Sequence, residues 1–315
     1  MLVTGATGMI GSSLTKALLD RDATVVALVR DDDPRSALVR GGLLPRVHTV
    51  NGALEDLAAV ERAVVEHDVD TVFHLGAQTI VSVGDRAPLL TFEANIRGTY
   101  HVLECCRLHA ASVQRVVVAS SDKAYGASPD LPYREEMALG GRHPYEVSKS
   151  CADLLATAYA HTYDLPVTVA RCGNVYGPGD LNWSRLVPGT IRALLRDEAP
   201  LIRSDGTFLR DYLYVDDIAT AYLLLAERSA EDGIRGEAFN IGNDDPVSVL
   251  DVVALLRELM GRTDLEPVVL GGAQEEIRDQ HLSAEKARDR LGWLPVHDLR
   301  AGLPPTIDWY RALLN

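Results

Sequence analysis

Through the first two-thirds of this 315-residue chain, short runs rich in β-branched residues alternate with longer segments whose apolar residues recur at helical spacing. The runs are Met1 to Val3, Thr24 to Val29, Thr71 to Leu75, Arg115 to Ala119 and Val167 to Arg171. Between them lie Gly11 to Asp20, Leu57 to His67, Phe92 to Leu108 and Pro144 to Tyr163. A parallel sheet demands this alternation, because each crossover needs a helix and each strand is then buried on both faces. The expected fold is therefore α/β, a doubly wound parallel sheet. After Cys172 the composition changes, and Gly173 to Trp183 gathers Gly, Pro, Asn and Trp in a loop that leaves the sheet layer.

Val3-Thr4-Gly5-Ala6-Thr7-Gly8-Met9-Ile10-Gly11 places a strand end, three glycines at spacing three and a helix start in succession. Glycine permits the tight turn and lets backbone N–H groups at a helix N-terminus approach a pyrophosphate. Strand before, helix after and a second strand at Thr24 to Val29 make this a Rossmann dinucleotide site, with Gly5, Gly8, Met9, Ile10 and Gly11 against the cofactor. The second strand ends at Arg30, where a carboxylate would suit the ribose hydroxyls of NAD and an arginine suits the 2′-phosphate of NADP. Arg30 thus favours NADP, while Asp31, Asp32 and Asp33 would repel that phosphate and keep NAD in play. A dinucleotide-binding domain is expected over residues 1–172, with 211–243 returning to it as strand and helix. Residues 173–210 and 244–315 would form a smaller substrate-binding lobe. The first strand is short for a central one, so the natural start is expected upstream.

A formal net charge of −14 and a pI near 5.1 argue against nucleic acid or an anionic membrane as partner. No long apolar run or signal peptide is present, so a cytoplasmic protein is expected. Cys105, Cys106, Cys151 and Cys172 lack metal-ligand spacing and read as reduced core thiols, with no metal expected. Lysine is scarce, four residues in all, and two of them fall in the segments that carry chemistry.

Tyr145-Glu146-Val147-Ser148-Lys149 opens a helix after Pro144, which puts Tyr145 and Lys149 on one face. A phenol needs nearby positive charge to act as a base at neutral pH, and an ammonium one turn away supplies it. Upstream, Val116 to Ala119 runs straight into Ser120-Ser121-Asp122-Lys123. Polar groups at the carboxyl end of such a strand face the crevice where ligands bind.

These motifs, with Gly173 to Asp180 and Arg210 to Asp217, occur in the order seen in extended short-chain dehydrogenases/reductases, specifically nucleotide-sugar epimerases and dehydratases. The resemblance covers essentially the whole chain, and Ser120 to Lys123 with Cys172 to Pro188 look most like CDP-glucose 4,6-dehydratase. It implies a tightly bound NAD(P) and a nucleotide-diphosphate sugar, CDP-glucose above others. Ser121, Tyr145 and Lys149 would oxidise the sugar at C4, and Asp122 with Lys123 would remove the 6-hydroxyl and the C5 proton. It further implies that Leu54, Leu75, Gly76, Ala77 and Asn95 lie beside the cofactor, with Leu54 following the position where many relatives carry an adenine-binding aspartate. Gln78, Asn174, Arg210 and Arg278 would hold the substrate, and Phe92 to Leu108 with Pro144 to Tyr163 would form a homodimer seam. A nucleotide-sugar 4-epimerase is the alternative, in which Asp122 and Lys123 are scaffold. A non-catalytic dinucleotide sensor is the remote one.

Overall fold

The computed structural model describes residues 1–31, 33–272 and 277–314, so Asp32 lies outside the described residues. The central sheet contains Leu2–Thr4 (β1), Val26–Val29 (β2), His48–Asn51 (β3), Thr71–His74 (β4), Arg115–Ser121 (β5), Val167–Cys172 (β6) and Ala238–Ile241. Their order across the sheet is β3-β2-β1-β4-β5-β6 and then Ala238–Ile241, all parallel. β1, β2, β4 and β6 are buried throughout, as strands sandwiched between two helical layers must be.

Two apolar cores lie on either side of the sheet. Leu14, Leu18, Phe73, Val117, Tyr222 and Phe239 belong to one, and Leu2, Val72, Leu103, Val116 and Val169 to the other. Fully burying each Leu, Val or Phe side chain contributes about 1.5 to 3 kcal/mol. A third core, including Ile191, Tyr214, Leu256, Leu303 and Tyr310, holds the C-terminal helices together. A separate three-stranded sheet joins Asn174–Tyr176, Leu209–Tyr214 and Pro246–Ser248.

The strand order reverses between β1 and β4, and in sheets of this kind a crevice opens beyond the carboxyl ends of the strands at that point. Register then decides what enters it. Thr4 pairs with both Leu28 and His74, while β5 continues past Val118, the partner of His74, as far as Ser121 opposite Cys172. The extra length of β5 carries its terminal serine beyond the plane where its neighbour stops.

The helix expected over Phe92 to Leu108 is broken into Pro88–Phe92, a π-helical turn at Glu93–Arg97 and Gly98–Leu108. Pro144–Tyr163 is one continuous helix, entered by proline in its first turn. Glu146 steadies that entry, its carboxylate accepting from the backbone N–H groups of Arg142 (2.8 Å) and His143 (3.2 Å). The helix stops at Asp164 in the left-handed conformation. No helix among the described residues is long and apolar enough to cross a membrane, and all four cysteines are unpaired.

Candidate active site

The carboxyl ends of β1, β4, β5 and β6 open into a cavity of about 1090 Å³. Its floor on the β1 side is the glycine turn. Gly5 has φ +71°, and a Cβ there would stand 2.8 Å from the amide nitrogen of Gly76; a Cβ on Gly11 would stand 2.1 Å from the carbonyl oxygen of Gly5. Side chains are thus excluded where turn, helix and neighbouring strand converge. The helix Met9–Leu19 starts at Gly8 with no side-chain cap, which leaves its first N–H groups to a ligand.

A chain of hydrogen bonds behind the wall fixes this floor. The Gly76 amide donates to Thr4 Oγ1 (3.0 Å), Thr4 Oγ1 meets His74 Nδ1 (2.9 Å), His74 Nε2 meets Thr99 Oγ1 (3.0 Å), and Thr99 donates to the Asn95 carbonyl (2.6 Å). Because the Thr99 proton goes to Asn95, His74 carries its proton on Nε2 and accepts from Thr4 at Nδ1. Burial holds this imidazole down to about 3, so it stays neutral. Asn95, on the π turn, donates to Gln78 O (3.0 Å) and Ser148 Oγ (2.9 Å) and accepts from the Gln78 amide (2.7 Å). It therefore ties the end of β4 to the Pro144–Tyr163 helix, and neither Asn95 nor Gln78 is among the residues lining the cavity.

Ser121, Asp122, Lys123, Tyr145 and Lys149 all line the cavity. Ser121 Oγ donates to Asp122 Oδ1 at 2.9 Å, and its hydroxyl also meets the phenol of Tyr145. Lys123 Nζ donates to Gln280 Oε1 at 2.6 Å. Lys149 Nζ donates to the carbonyl of Ala119 at 2.9 Å, and burial pulls its ammonium down to about 8. Removal from water pushes the phenol up to about 12, and the main cation opposing that is Arg185.

Arg30 lines the cavity together with Asp31, but its Nε donates to Asp31 Oδ2 at 2.6 Å, so the guanidinium already carries a carboxylate partner. Leu54, Leu75, Gly76 and Ala77 line the same region, and Leu54 packs against Gly98. On the opposite side Asn174 lines the cavity with a buried Nδ2 that finds no acceptor among the described residues. Arg210 lines it too, while its guanidinium donates to the carbonyls of Leu209 (2.8 Å), Ile277 (2.7 Å) and Arg278 (2.6 Å).

Arg278, expected beside the diphosphate, is not brought into this cavity. It donates to Thr207 Oγ1 (3.1 Å), lies over the Phe208 ring and borders a smaller cavity of about 560 Å³.

Residues 1–242 match the family described as Epimerase, NAD dependent epimerase/dehydratase family. The chain belongs to that family. It is an enzyme of the extended short-chain dehydrogenase/reductase kind. It is 34% identical over 322 residues to a dTDP-glucose 4,6-dehydratase of Mycolicibacterium smegmatis, covering 99% of this chain and 93% of the relative. A CDP-glucose 4,6-dehydratase of Salmonella typhimurium is 29% identical over 333 residues, with 100% and 91% covered. The solved UDP-glucose 4-epimerase of Thermotoga maritima, in complex with UDP-glucose, superposes with a TM-score of 0.90 at 31% identity, covering 100% of this chain and 99% of that one.

Within an NAD dependent family the cavity's cradle fits a dinucleotide: the glycine turn admits no side chain and the helix start offers uncapped N–H groups. Among the described residues no group of three or more His, Cys, Asp or Glu could hold a metal. Sequence reasoning did not single out Arg185, Arg192, Arg203 or Trp183, which also line the cavity. Arg185 donates to Asp180 Oδ2 (3.1 Å), and Arg192 stacks over Trp183. For Arg185 and Trp183 the available signal was compositional, an arginine and a tryptophan in or beside a Gly- and Asn-rich loop of an acidic chain. Gln280 gave no such signal, because it reaches Lys123 from far along the chain.

Proposed function

We propose that this enzyme is a nucleotide-sugar 4,6-dehydratase, acting on CDP-glucose before other nucleotide glucoses. The observation that carries the reading is the pair Asp122 and Lys123, set at the end of β5 on the cavity wall beside Ser121 and Tyr145. Tyr145, as phenolate, takes the proton of the sugar C4 hydroxyl, with Ser121 holding that oxygen. When bound, the nicotinamide would supply the hydride chemistry between C4 and C6 of the sugar. A C4 ketone acidifies the C5 proton, which Lys123, or a water it positions, removes. The C5–H electron pair becomes the C5–C6 π bond, the C6–O bond breaks, and the 6-hydroxyl leaves as water with a proton from Asp122. Return of a proton to C5 by Lys123 completes a 4-keto-6-deoxy sugar.

Asn174, with its unpartnered Nδ2, and the cavity arginines are assigned to the nucleotide diphosphate, since guanidinium forks bind phosphate oxygens in pairs. Arg30 would favour NADP, but its ion pair with Asp31 offsets that preference, and NAD is the cofactor we assign. Competition between NAD and NADP for the emptied protein checks this, and tighter binding of NADP would reverse the assignment.

The test is incubation with CDP-, dTDP-, UDP- and GDP-glucose followed by mass spectrometry. Loss of one water supports the dehydratase and names the nucleotide. The likeness to a UDP-glucose 4-epimerase favours a second reading, 4-epimerisation. An unchanged mass with an inverted C4, and a Lys123→Ala variant of undiminished rate, would establish it instead.

A further inference from the structure

We propose that Gln280 is the positioning residue for Lys123, holding its amine where the C5 proton is removed; this deepens, and rests on, the dehydratase reading. Gln280 is fully buried, and its backbone is pinned by an N–H donation to Leu209 O (3.0 Å) and a parallel bridge to Arg210. Its side chain therefore has a fixed origin. The amide is oriented with its carbonyl toward the lysine, Lys123 Nζ donating to Oε1 at 2.6 Å. That leaves Nε2, an equally buried donor, on the side of the Tyr133 phenol, whose own proton goes to the Gly126 carbonyl.

A leucine or methionine of similar volume would give Lys123 no acceptor. A four-carbon lysine stem otherwise samples many rotamers, and the carbonyl oxygen 2.6 Å away selects one of them. Neutrality also matters. A carboxylate in this place would hold the lysine as an ammonium, which cannot accept a proton, whereas a carbonyl oxygen orients the amine without fixing its charge. Gln280 is not among the cavity-lining residues, so it acts through Lys123 and not on the sugar.

The experiment uses the full-length, cofactor-loaded enzyme and the nucleotide glucose that loses water in the assay above, comparing wild type, Gln280→Met and the nearly isosteric Gln280→Glu. Single-turnover absorbance follows reduction of the nicotinamide, and product mass follows loss of water. Oxidation at C4 is expected to stay within about twofold, while water loss falls on the order of 10²-fold, the scale of a misplaced catalytic group. Reduced cofactor then accumulates. In Gln280→Glu the rising limb of the pH profile for water loss moves to higher pH, while the split between unchanged C4 oxidation and slowed water loss in Gln280→Met is the change that a merely structural glutamine would not produce. Equal slowing of both half-reactions, or an unmoved limb in Gln280→Glu, overturns the role of Gln280 while wild-type dehydration stands. Epimerisation by the wild type without loss of water overturns the dehydratase reading and this inference together.

Discussion

Burial pulls Lys149 from its ordinary 10.5 to about 8, so below that pH the fold carries a desolvated ammonium held by one carbonyl. A pKa lowered on folding means that the unfolded chain binds protons more readily, and stability rises with pH between about 8 and 10.5. Lys149→Met is therefore expected to raise stability at pH 7 by about 2 kcal/mol while abolishing turnover. Chemical unfolding at several pH values checks this, because the gain should fade across that window. Arg185 acts on the neighbouring Tyr145 in the opposite sense, offsetting part of the burial that pushes the phenol up. Arg185→Gln keeps a donor for Asp180 but removes the charge. The ascending limb of C4 oxidation should move to higher pH, with about tenfold loss near neutrality for each unit moved. Ser121, Asp122, Lys123, Tyr145 and Lys149 were legible as a group because strand ends and helix spacing place them together. Arg185 and Gln280 were not, since only tertiary packing brings them to the site.

Among elements, the turn from β1 into the Met9–Leu19 helix is the tightest piece of construction. An added Cβ at Gly11 would press on the Gly5 carbonyl, which is backbone and cannot swing aside. Gly11→Ala is expected to weaken dinucleotide affinity by about 1 to 3 kcal/mol, the usual scale of overpacking, and titration with the dinucleotide measures it. This turn and the long Pro144–Tyr163 helix could be read directly, because glycine spacing and a proline-led start are local signals. The π turn at Glu93–Arg97 could not, since a helix that widens by one residue leaves no compositional mark. The Leu299–Leu314 helix was hidden for another reason. It contains Pro304 and Pro305, which ordinarily end a helix, and its packing in the third core holds it together.

At the scale of the whole molecule, the helices beside β4 and β5 leave large apolar side chains in solvent. Leu89, Leu90 and Leu154 are 67%, 62% and 60% exposed, and a second copy of the chain is the occupant we propose for them. Light scattering is expected to report a dimer, and Leu90→Glu combined with Leu154→Glu should yield monomers that keep the fold by circular dichroism. A monomeric wild type would remove that proposal. The alternation of strand and helix made the doubly wound sheet legible from composition and period alone. The placement of Arg278 over Phe208 was beyond such reasoning, because it depends on how the C-terminal segment crosses the strand Leu209–Tyr214.

That crossing also sets an order of assembly. The glycine turn and its partner Gly76 are complete once β4 has been synthesised, whereas the sheet's last strand, Ala238–Ile241, comes far later, and Gln280 reaches Lys123 later still. During synthesis the glycine turn can form early, but the contact between Gln280 and Lys123 must wait until the C-terminal stretch has emerged and packed back against Leu209 and Arg210.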